Sequence, residues 1–74
     1  MKTYEKIRGM REDRDLTQSQ FGKIMHMSQR KISYMEKGER SITTEELEQI
    51  CLFFNVSADW LLGLPEGLPY PKRK

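Results

Sequence analysis

The chain has 74 residues, a formal net charge of +2 and a single cysteine. This length allows one small domain, and a single thiol excludes both a disulfide framework and a cysteine metal cluster. The longest apolar run, "CLFF", is far shorter than the roughly 20 residues that a spanning helix needs. Because the N-terminus also lacks the apolar centre of a secretory signal, we expect a cytoplasmic protein without a membrane segment.

The charged residues are unevenly distributed along the chain. The stretch 16–35 holds three basic residues and no acidic residue, whereas 41–71 holds five acidic residues and no basic residue. A domain folded from such a chain presents one positive face and one negative face, as a partner of a polyanion does. The pattern favours nucleic-acid binding but is not specific to it, because small helical domains also segregate charge by chance.

Two helices are predicted in the first third of the chain. The first runs from about Thr3 to Arg14, followed by Asp15, a residue type that tolerates positive φ. Its inward side chains at helical spacing are Ile7, Met10 and, as a further candidate, Tyr4. The second starts at "TQSQ", a capping box of a threonine and a glutamine three residues later. Its apolar side consists of Phe21, Ile24 and Met25, and Gly22 permits a neighbouring backbone to come close.

The turn "HMS" and a third helix follow. His26 is expected in a left-handed conformation, and Ser28 caps a helix that runs from about Gln29 to Lys37 and ends at Gly38. The apolar residues Met27, Ile32 and Met35 line up on one side of this helix. The opposite side carries no acid before Glu36 and consists of Gln29, Arg30, Ser33 and Tyr34.

Two more helices and a tail complete the chain. "TTEE" is a second capping box, made by Thr43 and Glu46, and the fourth helix ends at Asn55. Its inward residues are Leu47, Ile50, Cys51 and Phe54. "SADWLLG" predicts a short fifth helix with Trp60 and Leu61 buried. We predict a domain of residues 1–63 and an irregular tail of residues 64–74, which holds three prolines.

Helices two and three, joined by a short turn, form a predicted helix-turn-helix. A helix has the diameter of the DNA major groove, and there its exposed side must offer donors instead of carboxylates, which phosphates would repel. Gln29 then reads adenine, or is only a polar first-turn residue. Arg30 binds guanine or phosphate, and Lys31 contacts phosphate or only adds solubility. Tyr34 touches a thymine methyl or a phosphate, or packs beside Met35.

The motifs also resemble those of a known family. "IRGMREDRDLTQSQFGKIMHMSQRKISYMEKGER", followed by "LEQICLFFNVSADWLLG", resembles the lambda-repressor/Cro-like (XRE) helix-turn-helix family over about residues 4–63. The most specific elements are Leu16-Thr17-Gln18, Ser28-Gln29, Ile32-Ser33, Glu36 before Gly38, and Val56-Ser57 with Asp59 to Gly63. Each element alone is weak, but their order and spacing together make a strong signal.

The resemblance implies a compact all-α, five-helix domain and roles for individual residues. Base edges would be contacted by Gln29, Arg30, Ser33 and Tyr34. The DNA backbone would be contacted by Gln18, Ser28, Lys31, Lys37 and Arg40. Arg11 and Glu36 would form a partly buried ion pair that orients the third helix. Asp15 and His26 stand where the family often has glycine. Gly22 stands where alanine is common, and this lowers the helix propensity by about 1 kcal/mol.

We expect a transcriptional regulator, and a repressor in particular, that binds a palindromic operator in double-stranded DNA as a homodimer. No cofactor, metal or small-molecule ligand is expected, and no enzyme active site is recognisable, since no nucleophile has a matching base. A surface of Leu62, Leu64, Leu68 and Tyr70 would contact a second copy or fold back on its own domain; a third alternative is that the chain is a fragment without its dimerisation region. The alternative function is an antitoxin or adaptor that binds a protein, with DNA binding secondary. The operator sequence, the regulated genes and the triggering signal are not readable from the sequence.

Overall fold

The computed structural model describes residues 1–65 of the chain, which form five α-helices and no strand. The helices are α1 (Thr3–Asp13), α2 (Gln18–Met25), α3 (Gln29–Glu36), α4 (Thr44–Phe54) and α5 (Ala58–Leu62). The predicted all-α, five-helix fold is confirmed, although α1 and α3 each end one residue earlier than predicted. No helix in residues 1–65 is long and apolar enough to cross a bilayer. Of the predicted tail, residues 66–74 lie outside the described residues.

Four of the five helices start at a hydroxyl side chain, as the capping motifs predict. Thr17 and Thr43 each accept a hydrogen bond from the backbone N–H three residues later, and that residue's side chain accepts one in return. Ser28 and Ser57 cap α3 and α5 with single hydrogen bonds of 3.2 and 3.1 Å. Each such cap contributes about 1 kcal/mol, because it satisfies a backbone donor that the helix itself leaves unpaired.

All five helices end with the same backbone motif. One residue adopts the left-handed conformation, and the next backbone N–H donates to the carbonyl five residues earlier, at 2.7 to 3.1 Å. The left-handed residues are Asp15, His26, Gly38, Asn55 and Gly63. The positive φ predicted at Asp15 and His26 is confirmed at 56° and 57°. Each helix therefore carries its own start and stop signal in the local sequence.

The core is built from buried apolar side chains of all five helices: Ile7, Phe21, Met25, Ile32, Met35, Ile50, Phe54 and Leu61. Two of the side chains predicted to face inward are in fact exposed. Trp60 keeps 44% of its surface exposed, because Leu61 takes the inward position of the short α5. Ile24 is 39% exposed, because Phe21 and Met25 form the inward stripe of α2.

Helix α1 holds both ends of the described chain together. Thr3 Oγ1 donates to the carbonyl of Leu61 at 3.0 Å, and Lys6 Nζ donates to the carbonyl of Trp60 at 2.6 Å. The first bond satisfies a carbonyl at the end of α5, and the second adds to the bond that the Trp60 carbonyl already accepts from the Gly63 N–H. The same helix packs against α3 through the buried residues Ile7 and Arg11, which sets the position of α3.

Candidate nucleic-acid interface

The turn between α2 and α3 closes directly on the backbone of α2. The Met27 N–H donates to the Gly22 carbonyl at 2.7 Å, after His26 has reversed the chain. A Cβ atom on Gly22 would lie 2.5 Å from the Met27 carbonyl oxygen, well inside van der Waals contact. The close backbone approach predicted for Gly22 is confirmed. Glycine at this position therefore permits the turn, and its lower helix propensity is a secondary effect.

Helix α3 has a buried apolar side and an exposed polar side. Ile32 and Met35 are fully buried in the core. The residues predicted to contact bases, Gln29, Arg30, Ser33 and Tyr34, form the outward side, which we call the reading face. Three of them are exposed and Ser33 is half-buried. The only acid of α3, Glu36, is buried, so the reading face presents no carboxylate to a polyanion.

Behind the reading face lies an ion pair between α1 and α3. Arg11 Nε and Nη2 donate to the two carboxylate oxygens of Glu36 at 2.7 and 3.0 Å. The Arg11 side chain is 10% exposed and that of Glu36 only 2%. The hydrogen bonds to Glu36 raise the pKa of Arg11 above its ordinary value, so the guanidinium stays charged despite its burial. Arg11 Nη1 also donates to the Leu16 carbonyl at 2.7 Å.

Gln18 connects this ion pair to the reading face. Its Nε2 donates to Glu36 Oε1 at 3.2 Å, and its Oε1 accepts from Gln29 Nε2 at 2.8 Å. A carboxylate accepts only, so Glu36 requires the amide nitrogen of Gln18. Gln18 is left with its oxygen free, and this oxygen requires the amide nitrogen of Gln29. We call this series of four residues the Arg11–Gln29 hydrogen-bond chain.

The hydrogen-bond chain fixes what Gln29 can offer to a ligand. One amide N–H of Gln29 is bound to Gln18, which leaves its Oε1 and its second N–H for a ligand. A free acceptor beside a free donor is the arrangement that pairs with adenine in the major groove. The sequence pattern predicts Gln18 only as a contact of the DNA backbone and indicates neither of its side-chain bonds. They depend on packing between helices, which spacing along the chain does not report.

The residues predicted to contact the DNA backbone differ in their surroundings. Lys31 and Lys37 are exposed at either end of α3. Ser28 Oγ accepts the capping hydrogen bond from the Lys31 N–H, so its hydroxyl hydrogen is the group left for a phosphate. Gln18 is half-buried at the start of α2. All four lie on α2, on α3 or directly beside α3.

Arg40 is held by an acidic side chain, which the sequence analysis did not foresee. Its Nη1 and Nη2 donate to the two carboxylate oxygens of Glu46, both at 2.9 Å. The hydrogen bonds from Arg40 lower the pKa of Glu46, and those to Glu46 raise the pKa of Arg40. Glu46 therefore neutralises much of the charge of Arg40, and a phosphate would compete with Glu46 for the guanidinium.

Comparison with known proteins gives three similarities. A family model described as helix-turn-helix matches residues 7–61. The antitoxin PezA of Streptococcus pneumoniae serotype 4 is 40% identical over 57 residues, which are 77% of this chain and 36% of that protein. The P22 c2 repressor, solved in complex with synthetic operator 9T, is 29% identical with a TM-score of 0.76. That match covers 84% of this chain and 94% of the repressor chain.

Proposed function

This chain belongs to the lambda-repressor/Cro-like helix-turn-helix family of DNA-binding regulators, and on that premise we propose that it is a repressor that binds a palindromic operator as a homodimer. Helix α3 enters the major groove, and α2 lies across its edge. The structural neighbour bound to operator DNA supports this mode of binding. Repression follows because the bound protein blocks access of RNA polymerase to the promoter.

The observation that carries the proposal is the fixed order of donors and acceptors along the Arg11–Gln29 hydrogen-bond chain. A buried carboxylate orients two successive amides, and the second of them lies on an exposed face without acids. A surface glutamine with no ligand to recognise has no need of such preorganisation. Fixing its amide before binding lowers the entropy lost on binding and favours one base over the others.

The residues of the reading face receive separate roles in this proposal. Gln29 accepts from and donates to adenine, and Arg30 donates to guanine O6 and N7. Tyr34, one helical turn after Arg30, contacts a thymine methyl group, and the Ser33 hydroxyl binds a neighbouring base edge. Each paired contact of this kind discriminates by about 1–3 kcal/mol against the wrong base.

The residues around α3 bind phosphates and set the register of the reading face. Lys31 and Lys37 attract the DNA backbone, and the Ser28 hydroxyl and the free capacity of the Gln18 amide bind its oxygens. Such contacts raise affinity for every sequence and make it depend on salt. Arg40 joins them when a phosphate replaces Glu46 as its partner.

The homodimer is proposed from the exposed apolar residues at the end of α5. Leu62 and Leu64 are each about half exposed. The other two residues of the predicted contact surface, Leu68 and Tyr70, lie outside the described residues. Binding of both half-sites then requires the two α3 helices to lie in successive major grooves, about 34 Å apart.

The proposal is tested by selecting bound sequences from random double-stranded DNA. We expect an enriched site with two inverted half-sites whose centres are about 10 base pairs apart. Gln29→Ala and Arg30→Ala should each remove discrimination at one position of each half-site. Gln49→Ala, an exposed glutamine of α4 outside the reading face, is the matched control and should select the same site as the original chain.

A second candidate function is that of an antitoxin, which binds a toxin protein in addition to DNA. The similarity to antitoxin PezA favours it, although the chain spans only 36% of the length of that relative. The exposed side of α4, with Glu45, Glu48 and the 74% exposed Leu52, offers a surface away from the reading face. If selection enriches no sequence while Leu52→Lys releases a protein that co-purifies in stoichiometric amount, this function replaces the first.

A further inference from the structure

The hydrogen-bond chain holds the side-chain amide of Gln29 in one orientation. The Glu36 carboxylate receives two hydrogen bonds from Arg11, at 2.7 and 3.0 Å, and its side chain is only 2% exposed. It also accepts from Gln18, whose oxygen accepts from Gln29 Nε2 at 2.8 Å. If the Gln29 amide turned over, its oxygen would face the oxygen of Gln18, and two acceptors cannot share a hydrogen bond. The remaining Oε1 and N–H of Gln29 therefore keep fixed places on the reading face.

The surface of α3 beside this amide is polar. Ser33 lies one helical turn after Gln29 on the same side of the helix and is half-buried. Ile32 and Met35 are fully buried. Tyr34 is five positions from Gln29, so the two are not neighbours on the helix surface. An apolar group placed against the Gln29 amide would therefore find no exposed apolar side chain of α3 next to it.

We infer, on the basis of the proposed function, that this protein distinguishes adenine from N6-methyladenine in its operator through Gln29. Adenine presents N7 as an acceptor and one N6–H as a donor in the major groove. Its other N6–H pairs with thymine, so in a duplex a methyl group on N6 must take the place of the major-groove N–H. The modification thus replaces the donor that Gln29 Oε1 requires with an apolar group.

The rigidity of Gln29 makes this replacement costly. An unattached glutamine could swing away from the methyl group and let water bind its oxygen. Here the same movement breaks the 2.8 Å bond to Gln18. If Gln29 stays in place, its oxygen faces the methyl carbon and has no donor in the interface, and a site built to accept a hydrogen bond strongly rejects an analogue that lacks the donor. The contacts that favour adenine therefore also exclude its methylated form.

Synthetic operator duplexes test the inference. The enriched site is made with adenine or with N6-methyladenine in both half-sites, at the position where Gln29→Ala removes discrimination. We expect the methylated duplex to bind the original chain at least about ten-fold more weakly, since one paired contact is lost in each half-site. Fluorescence anisotropy measures both dissociation constants. A duplex with the same number of N6-methyladenines outside the half-sites is the matched control and should bind like the unmodified one.

Variants of the chain show whether the effect passes through the fixed amide. Gln29→Ala should bind the methylated and unmethylated operators equally, because it has no oxygen to lose its donor. Gln18→Ala should show a smaller loss than the original chain, because its Gln29 can move away from the methyl group. Gln49→Ala, which removes an exposed amide of α4 outside the reading face, should show the full loss. Circular dichroism should give the same helix content for all three variants.

Four results would overturn the inference without touching the proposed function. The methylated and unmethylated operators might bind the original chain equally, or Gln29→Ala might show the same loss on methylation as the original chain. Gln18→Ala might show the full loss, which would mean that the fixed orientation has no part in the effect. Gln29→Ala might also change discrimination at a base other than adenine. Failure of the selection to enrich any sequence would instead overturn the proposed function itself.

Discussion

Two of the arginine–glutamate pairs in residues 1–65 each make two hydrogen bonds but lie in very different surroundings. Arg11 and Glu36 are 25 residues apart, connect α1 to α3, and are almost fully buried. Arg40 and Glu46 are six residues apart, lie at the start of α4, and have side chains 28% and 15% exposed. Both pairs make two hydrogen bonds between guanidinium and carboxylate.

The difference between the pairs concerns what each carboxylate does beyond binding its arginine. Glu46 also accepts from the Thr43 N–H, so its effect is local and belongs to the cap of α4. Glu36 also accepts from Gln18 and, through it, orients Gln29. A buried pair gains little net stability, because desolvation offsets much of its attraction. We therefore infer that the buried pair orients the reading face, whereas the partly exposed Arg40–Glu46 pair supports a helix end.

The largest expected effect comes from removing one member of the buried pair. Arg11→Met leaves the Glu36 carboxylate buried without a cation, which should lower the free energy of unfolding by about 3–5 kcal/mol. Urea denaturation measures the change. Arg8→Met is the matched control on the same helix, since Arg8 forms only an exposed pair with Glu12 at 3.7 Å and should cost less than about 0.5 kcal/mol. Similar losses in both variants would remove the distinction between the pairs.

Removing both members should separate stability from recognition. Arg11→Met/Glu36→Leu replaces the pair by apolar groups, and we expect its free energy of unfolding to lie within about 1 kcal/mol of the original. The Gln18 amide then has no carboxylate to orient it, so discrimination at the base read by Gln29 should fall. A double variant that is stable and still fully selective would show that the pair has no orienting role.

The next effect concerns the turn that brings Gln18 and Gln29 together. In Gly22→Ala the added Cβ would collide with the Met27 carbonyl oxygen and push the α2–α3 turn apart. We expect the free energy of unfolding to fall by about 1–3 kcal/mol. Gly9→Ala is the control, because its Cβ meets nothing within 4 Å and its higher helix propensity should stabilise by up to about 1 kcal/mol. Thermal denaturation of both variants measures these changes. A gain of stability in Gly22→Ala would show that helix propensity, and not the close approach of the backbone, determines the effect at this position.

Cutting the hydrogen-bond chain at its middle should affect recognition more than folding. Gln18→Ala should reduce discrimination at the Gln29 base by about 1–3 kcal/mol, measured as the ratio of dissociation constants for matched and mismatched operators. Its effect on unfolding should be smaller than that of Arg11→Met, because Arg11 and Glu36 remain paired. Equal weakening on all DNA sequences would assign Gln18 to phosphate binding alone.

The smallest effect is expected at the Arg40–Glu46 pair. Glu46→Gln can keep the capping box through its remaining oxygen, but it removes the charge and one of the two hydrogen bonds from Arg40. It should lower the free energy of unfolding by about 1 kcal/mol or less at neutral pH. Arg40 lowers the pKa of Glu46, so the stabilisation is present above the ordinary glutamate pKa and is lost as the pH falls through the lowered value. The difference between the original chain and the variant should therefore shrink in acid, as urea denaturation at several pH values would show.

The sequence predicted the local features of the fold well. The capping boxes at Thr17 and Thr43, the left-handed residues Asp15 and His26, and the end of α4 at Asn55 were recognisable because each involves neighbours within a few residues. The inward stripes of α1 and α3 followed from helical spacing. The prediction that Trp60 is buried was wrong, because a helix of five residues has too few positions for its spacing to reveal which side faces inward.

The features that were missed are contacts between segments distant in the sequence. The Gln18–Gln29 bond depends on how closely α2 and α3 approach, and the binding of Lys6 to the end of α5 depends on α1 packing beside it. The Arg40–Glu46 pair is nearer in sequence, but the loop conformation that allows it is irregular. The roles of the reading-face residues came from a family resemblance and stay predictions until DNA binding is measured.

The shared backbone motif at the helix ends has a consequence for how such domains diversify. Helix α3 is started by Ser28, stopped at Gly38 and packed through Ile32 and Met35, and none of these residues lies on the reading face. Exchanging outward side chains therefore leaves both the signals for the helix and its packing intact. New binding preferences can therefore arise by substitution at these positions with little loss of stability.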